Sequence, residues 1–290
     1  MEIAYGRPFT GHALAELLAF LDAHGLRYMP GIQFTVNLYE NDGLVGTGSL
    51  TENIVQCVAV SRQHQGENLS AIILTALTKE AFLKGDGHLF LYTKPESRHP
   101  FESLGFFEIA QTQHVLLMEN RRNGAEEFVH SLPMSASVGD IGCIVINGNP
   151  PTYGHLHLIE IAASQCAQLY VFIRSSEHSP LLVADRCLLV RTKTAHLSNV
   201  LVCPTGNYLI PYAAFPDYFL RDCSCSLKIH CQLDLKILLR YFVSILNITK
   251  CFIEAKPLSA LTVAYNRELL AFLPPHGVQV LEIPHLTDCD

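Results

Sequence analysis

Hydrophobic and polar residues alternate along the first 120 residues in a pattern that predicts strands grouped around two helices. Apolar residues recur at helical spacing over 12–23 and 69–84, and a glycine follows each run closely, as is common after helices. Asn41-Asp42-Gly43 predicts a tight hairpin turn. The predicted strands are 32–39, 44–50, 54–60, 88–93 and 114–119. Strand, glycine-containing loop, long helix and strand in this order predict a mixed sheet with helices.

From residue 139 the pattern changes to a regular alternation of strands and helices, which predicts a doubly wound parallel sheet and so an α/β fold. The strands are expected at 141–147, 168–174, 199–203, 249–254 and 278–283, and the helices at 155–165, 181–195, 216–222, 233–246 and 259–273. A polar stretch with a short helical run and Pro133 precedes this region. We therefore expect a first domain over 1–120, a linker over 121–138 and a second domain over 139–290.

Composition narrows the class of partner. The 290 residues carry a net charge of −7 without any basic run, which argues against a nucleic-acid surface. No apolar stretch reaches the roughly 18–20 residues that a membrane span needs. The N-terminus lacks the basic region and apolar core of a signal peptide. We therefore expect a cytoplasmic protein that binds neither nucleic acid nor membranes.

The ten cysteines are expected to be free thiols, because disulfides are rare in cytosolic chains of this length. Six of them lie within apolar patterns and are expected in the core: Cys57, Cys143, Cys166, Cys187, Cys203 and Cys251. Cys223, Cys225, His230 and Cys231 lie closer together, but their spacing is not one of the usual zinc-ligand spacings. No metal site is predicted.

The sequence from Asn147 to His157 follows a predicted buried strand and precedes a predicted helix. The first amides of a helix have no partner within the helix and favour an anion at its N-terminus. Thr152 and His155 add a hydroxyl and an imidazole, and Gly154 lets a ligand approach the backbone. The turn therefore predicts an anion site. The alternative is a structural turn with a capping threonine and a surface histidine.

Thr-x-Gly-His after a strand resembles the signature of the nucleotidyltransferase superfamily, of the HIGH-like type, in its threonine variant. In that superfamily the motif binds the triphosphate of ATP and stabilises charge as pyrophosphate leaves. The resemblance implies catalytic roles for Thr152 and His155. It implies an ATP site formed by Asn147, Asn149, Pro150, Thr152, Gly154, His155, Asp185 and Arg186.

The first domain resembles the GNAT acetyltransferases, whose glycine loop holds the pyrophosphate of coenzyme A on backbone amides. The resembling segments are Gln63-x-x-Gly66-x-Asn68 and the run from Pro100 to Phe106. The implied acyl- and pantetheine-binding residues are Val58, Val60, Gln63, Gly66, Asn68 and Phe101. The alternative is a domain of this shape that no longer binds a thioester. His64, His88 and His99 all remain candidates for a general base.

Several longer strings resemble the citrate lyase ligase family. They are the runs 56–60, 88–96, 149–155, 214–220 and 233–237, and the resemblance extends from about residue 10 to the end of the chain. It implies an enzyme that uses ATP, accompanied by Mg²⁺, and acetate. The enzyme would acetylate the prosthetic-group thiol of the citrate lyase acyl carrier protein through acetyl-adenylate, releasing AMP and pyrophosphate.

The chain also departs from this family. Relatives continue past Ile283-Pro284 into an Ile-Ser-x-Ser-x-x-Arg segment that helps hold the phosphates, and the sequence to Asp290 lacks it. Val263 stands where relatives have an arginine. One alternative is therefore an impaired or inactive relative that still binds the carrier protein. A second is another adenylyltransferase that shares only the Thr-x-Gly-His loop.

Overall fold

The computed structural model describes residues 1–175, 180–220, 225–257 and 259–284. The chain divides into two compact units. The first comprises Met1–Arg122 with Pro216–Ser226, and the second comprises Asn123–Phe215 with Leu227–Asp290. The division into 1–120, 121–138 and 139–290 expected from the sequence stays a proposal.

The first unit contains seven strands and three α-helices within its described residues. The strands are β1 (Glu2–Gly6), β2 (Phe34–Glu40), β3 (Gly43–Thr51), β4 (Ile54–Val60), β5 (Phe90–Thr93), β6 (Phe107–Gln111) and β7 (Leu116–Glu119). The helices are α1 (Gly11–Ala23), α2 (Leu69–Leu83) and α3 (Arg98–Glu102), with 3₁₀ turns at Arg62–His64 and Pro95–Ser97.

The strands form one mixed sheet in the order β1-β2-β3-β4-β5-β7-β6. β4 and β5 pair in parallel, whereas the other pairs are antiparallel. The turn between β2 and β3 places Asn41 and Asp42 at φ of 49° and 64°, as a type I′ hairpin turn requires. This confirms the predicted hairpin. β1 and β6 lack a clear alternating pattern and were not predicted.

Helix α2 covers the sheet of the first unit and packs against β2, β3 and β4. Its Ile73 and Leu77 are fully buried, together with Val36 and Leu38 of β2 and Leu91 of β5. The apolar face of the helix therefore closes one core, as the spacing of its residues predicted. The strand, loop, long helix and strand order expected of a GNAT-like core is present.

The helix predicted at 216–222 is wrong for its described part, since 216–220 is not helical. Apolar residues at helical spacing suggested a helix, but long-range contacts hold the backbone in another shape. Arg27 donates its backbone N–H to the Tyr218 carbonyl at 2.9 Å, and the Tyr218 hydroxyl donates to the Tyr92 carbonyl at 2.6 Å. The side chains of Tyr218 and Phe219 are buried. This segment therefore belongs to the first unit.

The second unit alternates strands and helices. The strands are β8 (Ile141–Ile146), β9 (Gln168–Ile173), β10 (Val200–Pro204), β11 (Lys250–Glu254) and β12 (Gln279–Ile283). The helices are α4 (Gly124–His130), α5 (Tyr153–Ala163), α6 (Val183–Lys193), α7 (Ser226–Ile237), α8 (Ser244–Leu246) and α9 (Ala260–Phe272). A π-helical turn at Leu238–Val243 joins α7 to α8, and 3₁₀ turns lie at Tyr212–Ala214 and Pro274–His276.

The five strands of the second unit form a parallel sheet in the order β10-β9-β8-β11-β12. The predicted strands agree with these to within one residue at each end. The chain leaves β8 toward β9 on one side and returns to β11 on the other, which makes the β8–β11 boundary a topological switch point. Open α/β sheets bind ligands there, beyond the carboxyl ends of the strands. The fold class, a mixed sheet followed by a doubly wound parallel sheet, is confirmed.

Both faces of the parallel sheet are covered. Alternate β9 residues Leu169, Val171 and Ile173 pack in one core with α5 and α6. Tyr170 and Phe172 point to the other face, where the Phe172 ring meets Phe242 at 5.1 Å between centroids. A strand buried on both faces reads as a nearly continuous apolar run, which is how β9 appears in the sequence.

Part of the predicted linker packs into the second unit. Phe128 of α4 lies against Phe242, with ring centroids 6.4 Å apart. The Tyr170 hydroxyl donates to the Pro133 carbonyl at 2.8 Å and accepts from the Ser135 backbone N–H at 2.9 Å. Across the described ranges, no helix is both long and apolar enough to cross a membrane.

Candidate functional site

The predicted anion site lies at the switch point of the parallel sheet. The loop from Asn147 to Thr152 leaves the carboxyl end of β8 and enters α5. It borders a cavity of about 580 Å³, which is within the usual range for small-molecule sites. Six of the eight residues assigned to ATP binding line this cavity: Asn147, Asn149, Pro150, Thr152, His155 and Arg186.

A capping box organises the start of α5. The Thr152 hydroxyl accepts the His155 backbone N–H at 3.3 Å, and the His155 Nδ1 accepts the Thr152 backbone N–H at 3.0 Å. Thr152 Oγ1 lies 2.8 Å from the same nitrogen. Because Nδ1 accepts a backbone N–H, the neutral ring carries its proton on Nε2. The cap therefore fixes the tautomer of the imidazole that lines the cavity.

Burial lowers the pKa of His155 below its usual 6.5, and the negative charge of Glu254 opposes this only in part. The neutral form is thus favoured near neutral pH. A neutral ring with its proton on Nε2 can donate a hydrogen bond to a phosphate oxygen. It does so without giving up the bond to Thr152. The hydrogen bonds that cap α5 thus also leave the Nε2–H of His155 as a donor.

Gly148 shapes the loop after β8. Its φ of +56° lies in the left-handed region, which side chains larger than glycine rarely adopt. Gly154 is the second residue of α5 and is partly exposed. The bend at Gly148 carries the chain from β8 into the loop that ends at the capped start of α5.

Arg186 lies on α6, almost completely buried at 1% exposure. Its guanidinium donates to three carbonyls: Asn147 at 2.5 Å, Arg174 at 2.9 Å and Leu181 at 3.2 Å. These bonds tie the helix to the carboxyl ends of β8 and β9. Its Nη2 is buried and has no hydrogen-bond partner in the described part of the chain. Burial lowers the pKa of Arg186, as expected for a cation held mainly by carbonyls.

Asp185 was assigned to the same site but lies elsewhere. It is exposed in the first turn of α6 and does not line the cavity. Neighbouring helical residues point about 100° apart, so one of an adjacent pair can be buried while the other faces solvent. The sequence pattern left open whether this pair was an exposed feature or a site. The structure separates the two residues.

Sequence reasoning missed a buried ionic group beside the cavity, of which Arg174 and Tyr265 belong to the lining. Arg174 forms a bidentate pair with Asp234, at 3.0 Å and 2.7 Å, and the Tyr265 hydroxyl donates to the same carboxylate at 2.6 Å. Burial alone would lower the pKa of Arg174, but the Asp234 carboxylate and Tyr265 outweigh it and raise the pKa. The Arg174 guanidinium also lies over the Tyr265 ring. The three residues come from distant parts of the chain, so no local pattern reveals them.

The residues assigned to acyl and pantetheine binding lie in the first unit. Gln63, Gly66 and Asn68 are exposed in the loop between β4 and α2, with φ of +94° at Gly66 and 58° at Asn68. Val58 and Val60 are partly buried against the core. Phe101 lies within that core, with its ring 6.3 Å from Phe106. The exposed loop and the buried aromatic residue therefore do not form one surface.

The three candidate bases of the first unit differ in their surroundings. His64 lies 2.6 Å from the Ser61 hydroxyl and 2.8 Å from a Glu40 carboxylate oxygen. His88 lies 2.6 Å from a Glu119 carboxylate oxygen. The side chain of His99 is 90% exposed. Of the three, His64 alone lies in the loop that resembles the coenzyme A loop.

The cysteines agree with the sequence expectation where they are described. Eight are free thiols: Cys57, Cys143, Cys166, Cys187, Cys203, Cys225, Cys231 and Cys251. Of the six expected in the core, Cys166 is partly exposed and the others are buried. Cys223 and Cys289 lie outside the described residues. Within the described ranges, no group of three His, Cys, Asp or Glu is placed to hold a metal ion.

The fold and the capped turn define a doubly wound α/β unit with a site at its switch point, preceded by a mixed-sheet unit. Residues 141–290 match the family described as citrate lyase ligase C-terminal domain.

Curated relatives extend the match to nearly the whole chain. The chain is 32% identical to "[Citrate [pro-3S]-lyase] ligase" of Escherichia coli K12, over 94% of this chain and 80% of that protein. It is 34% identical to the protein of the same name from Klebsiella pneumoniae, over 92% and 80%. It is 31% identical to that from Haemophilus influenzae, over 94% and 84%. The chain belongs to the citrate lyase ligase family.

Solved structures resemble parts of the chain more weakly. An acyl-CoA N-acyltransferase from Pseudomonas aeruginosa is 14% identical with a TM-score of 0.36, over 42% of this chain and 100% of that chain. N-acetylglutamate synthase from Neisseria gonorrhoeae is 18% identical with a TM-score of 0.33, over 42% and 36%. Scores this low support no conclusion about function.

Proposed function

We propose that this chain is an ATP-dependent acetate:thiol ligase that acetylates the prosthetic-group thiol of the citrate lyase acyl carrier protein. The observation that carries the proposal is the capped turn at Thr152 and His155, which borders a ligand-sized cavity in a member of the citrate lyase ligase family. The names of the relatives support a ligase that acts on citrate lyase.

The chemistry requires activation of acetate, because a free carboxylate has no good leaving group for a thiol to displace. In the proposed first step a carboxylate oxygen of acetate attacks the α-phosphate of ATP, and the bond to pyrophosphate breaks. In the second step the carrier thiol attacks the acetyl carbonyl of acetyl-adenylate. The thioester forms as the bond to AMP breaks, and the thiol proton passes to a base.

The residues of the turn serve the first step mainly by charge stabilisation and alignment. His155 would donate a hydrogen bond from its Nε2–H to a phosphate oxygen, since its Nδ1 accepts the Thr152 backbone N–H. The buried Arg186 guanidinium adds a positive charge, and the two N–H groups of its unpartnered Nη2 are proposed donors to the ligand. Gly154 and the first amides of α5 complete the proposed phosphate site.

Mg²⁺ is expected to accompany the triphosphate. This ion is usually held by substrate phosphates, water and one or two carboxylates, and so needs no dedicated protein cage. No protein ligand is assigned to it.

The first unit is proposed to position the pantetheine-like arm of the carrier protein. The exposed loop with Gln63, Gly66 and Asn68 presents backbone at the start of α2, and His64 lies in the same loop. These features support the role that the GNAT resemblance implied. His64 is the candidate that lies nearest in sequence to the proposed arm-binding residues.

Pyrophosphate release tests the proposal. The chain is incubated with ATP, Mg²⁺ and acetate, with and without deacetylated citrate lyase. We expect release that depends on acetate, and His155→Ala should lower its rate by roughly 10²- to 10³-fold. His157→Ala is the matched control, because this residue lies on the same helix but does not line the cavity, and it should leave the rate unchanged.

Two outcomes would contradict the proposal. Absence of release, with binding of the citrate lyase carrier protein retained, would identify an inactive relative. Release that depends on an acceptor other than acetate would identify another adenylyltransferase with the same loop.

A further inference from the structure

His230 is a buried histidine that the proposed mechanism does not use. It lies on α7, is 4% exposed and lines the same cavity as His155 and Arg186. Its Nδ1 is buried and has no hydrogen-bond partner among the residues that the structure describes. Buried polar atoms nearly always have a partner, so an unpaired one on a residue that lines a cavity points to a ligand.

The ring of His230 is held in a defined orientation. Its Nε2 lies 3.0 Å from the Ile210 carbonyl, which accepts only, so Nε2 carries a proton. The same carbonyl accepts from Arg174 Nη1 at 2.8 Å. The rings of Tyr212 and Phe215 meet the imidazole edge to face, at 5.6 Å and 5.2 Å between centroids. The position of Nδ1 is therefore fixed before any ligand binds.

The unpaired nitrogen is an acceptor. Burial lowers the pKa of His230, the positive charge of Arg174 adds to this effect, and Asp234 and the Ile210 carbonyl oppose it. A neutral ring protonated on Nε2 leaves a lone pair on Nδ1. The ligand group that satisfies this atom must therefore be an N–H or O–H donor.

Two residues that line the cavity thus each carry an unpartnered buried atom, and the two atoms are of opposite character. Arg186 Nη2 is a cationic donor, and His230 Nδ1 is a neutral acceptor. A nucleoside triphosphate matches this pair, because it combines anionic phosphates with neutral amino and hydroxyl donors. Acetate does not, because its carboxylate offers no donor near neutral pH.

We propose that His230 Nδ1 accepts a hydrogen bond from a donor on the nucleoside part of ATP, and that it is a specificity-determining residue of this site. The donor is either the 6-amino group of adenine or a ribose hydroxyl. This inference rests on the proposed function, since it requires ATP to occupy the cavity.

Equilibrium binding of MgATP by calorimetry, without acetate, tests the inference. His230→Gln places an amide nitrogen near the position of Nε2, so it keeps the bond to Ile210 but removes the acceptor. We expect it to bind ATP about three- to tenfold more weakly. His230→Asn instead places an amide group near the position of Nδ1 and should recover part of that loss. Phe215→Leu is the packing control, since Phe215 touches the ring without lining the cavity.

Analogues that each lack one donor identify the group. Purine riboside triphosphate lacks the 6-amino group, and 2′-deoxy-ATP and 3′-deoxy-ATP each lack one hydroxyl. We expect one analogue to bind wild-type protein more weakly than ATP but to bind His230→Gln as well as ATP does. Such non-additivity is the sign of a direct contact.

The inference is overturned if His230→Gln binds ATP as tightly as wild type. It is also overturned if every analogue loses the same factor with both proteins, or if Phe215→Leu weakens binding as much as His230→Gln. Failure of wild type to bind MgATP at all would instead overturn the proposed function, and with it this inference. Circular dichroism of each variant confirms that it is folded.

Discussion

Each unit has a strand, a loop and a helix in succession, and the two helix starts are built differently. At the start of α5, Thr152 is extended, with φ of −94° and ψ of 168°, and its side chain caps the helix. At the start of α2, Asn68 is left-handed, with φ of 58° and ψ of 17°, and its side chain makes no capping hydrogen bond. Both segments resemble anion-binding loops in sequence.

The two helix starts also differ in the side chains that surround them. The α5 turn combines a fixed imidazole donor with Arg186, a buried cation supplied by another helix, and both line one cavity. The α2 turn presents exposed backbone at Gly66 and Asn68. Under the proposed function, the first arrangement would stabilise charge on the phosphates and the second would hold the carrier arm through backbone contacts.

The largest effect that we expect in this comparison concerns Arg186, the cation that α6 places beside the start of α5. Arg186→Met removes the donors to three carbonyls and leaves them buried, so the free energy of unfolding should fall by about 3 kcal/mol. Urea denaturation measures this change. Asp185→Asn, at the adjacent exposed position, is the control and should stay within about 0.5 kcal/mol of wild type. A loss at Arg186 no larger than the small change expected at Asp185 would show that its three carbonyl bonds contribute little to stability.

Substitution of the residue before each helix should give a smaller change in the free energy of unfolding. Thr152→Ala loses the hydroxyl that accepts the His155 amide and should cost about 1 kcal/mol. Asn68→Gly loses no capping bond, and glycine adopts a φ of 58° without strain, so it should change stability by only a few tenths of a kcal/mol. Thermal unfolding of the two variants compares them. A larger loss at Asn68 would mean that its side chain supports α2 in some other way.

The smallest effect that we expect is a dependence on pH. The pKa of His155 is lower in the folded chain than its ordinary 6.5, so the unfolded chain binds more protons between the two values. Its contribution to stability is therefore complete above pH 6.5 and is lost as pH falls through the folded pKa. Between pH 7 and 6 the loss should stay under about 1 kcal/mol.

A substitution isolates this contribution. Because protonation of Nδ1 would displace the Thr152 N–H, His155→Gln should flatten the profile of unfolding free energy against pH. His157→Gln is the control on the same helix and should leave the slope of the profile unchanged. A wild-type slope that persists in His155→Gln would assign it to other groups, among them His230, whose pKa is also lowered.

The sequence predicted the parts of the fold that depend on local pattern. The β2–β3 turn follows from Asn41-Asp42-Gly43, because asparagine and aspartate tolerate the positive φ that such a turn needs. The strands of the parallel sheet follow from short apolar runs between helices. The capped turn at Thr152 follows from one tetrapeptide after a strand.

Long-range contacts decided what the sequence missed. Pro216 to Leu220 has helical spacing, yet bonds to residues 27 and 92 hold it in another shape. The sequence placed His230 only beside three cysteines with an unusual zinc-ligand spacing, and Asp234 only in a predicted helix. In the structure His230 bonds to the Ile210 carbonyl and Asp234 pairs with Arg174.

Sequence by itself thus determined most of the strands, the class of the sheets and the position of the turn between β8 and α5. All of these depend on residues within a few positions of one another. Tertiary structure alone decided which polar atoms are buried, which of them lack partners and whether Asp185 or Arg186 faces the cavity. The physical reason is that the cost of burying a polar group depends on whatever surrounds it, and those neighbours come from distant segments of the chain.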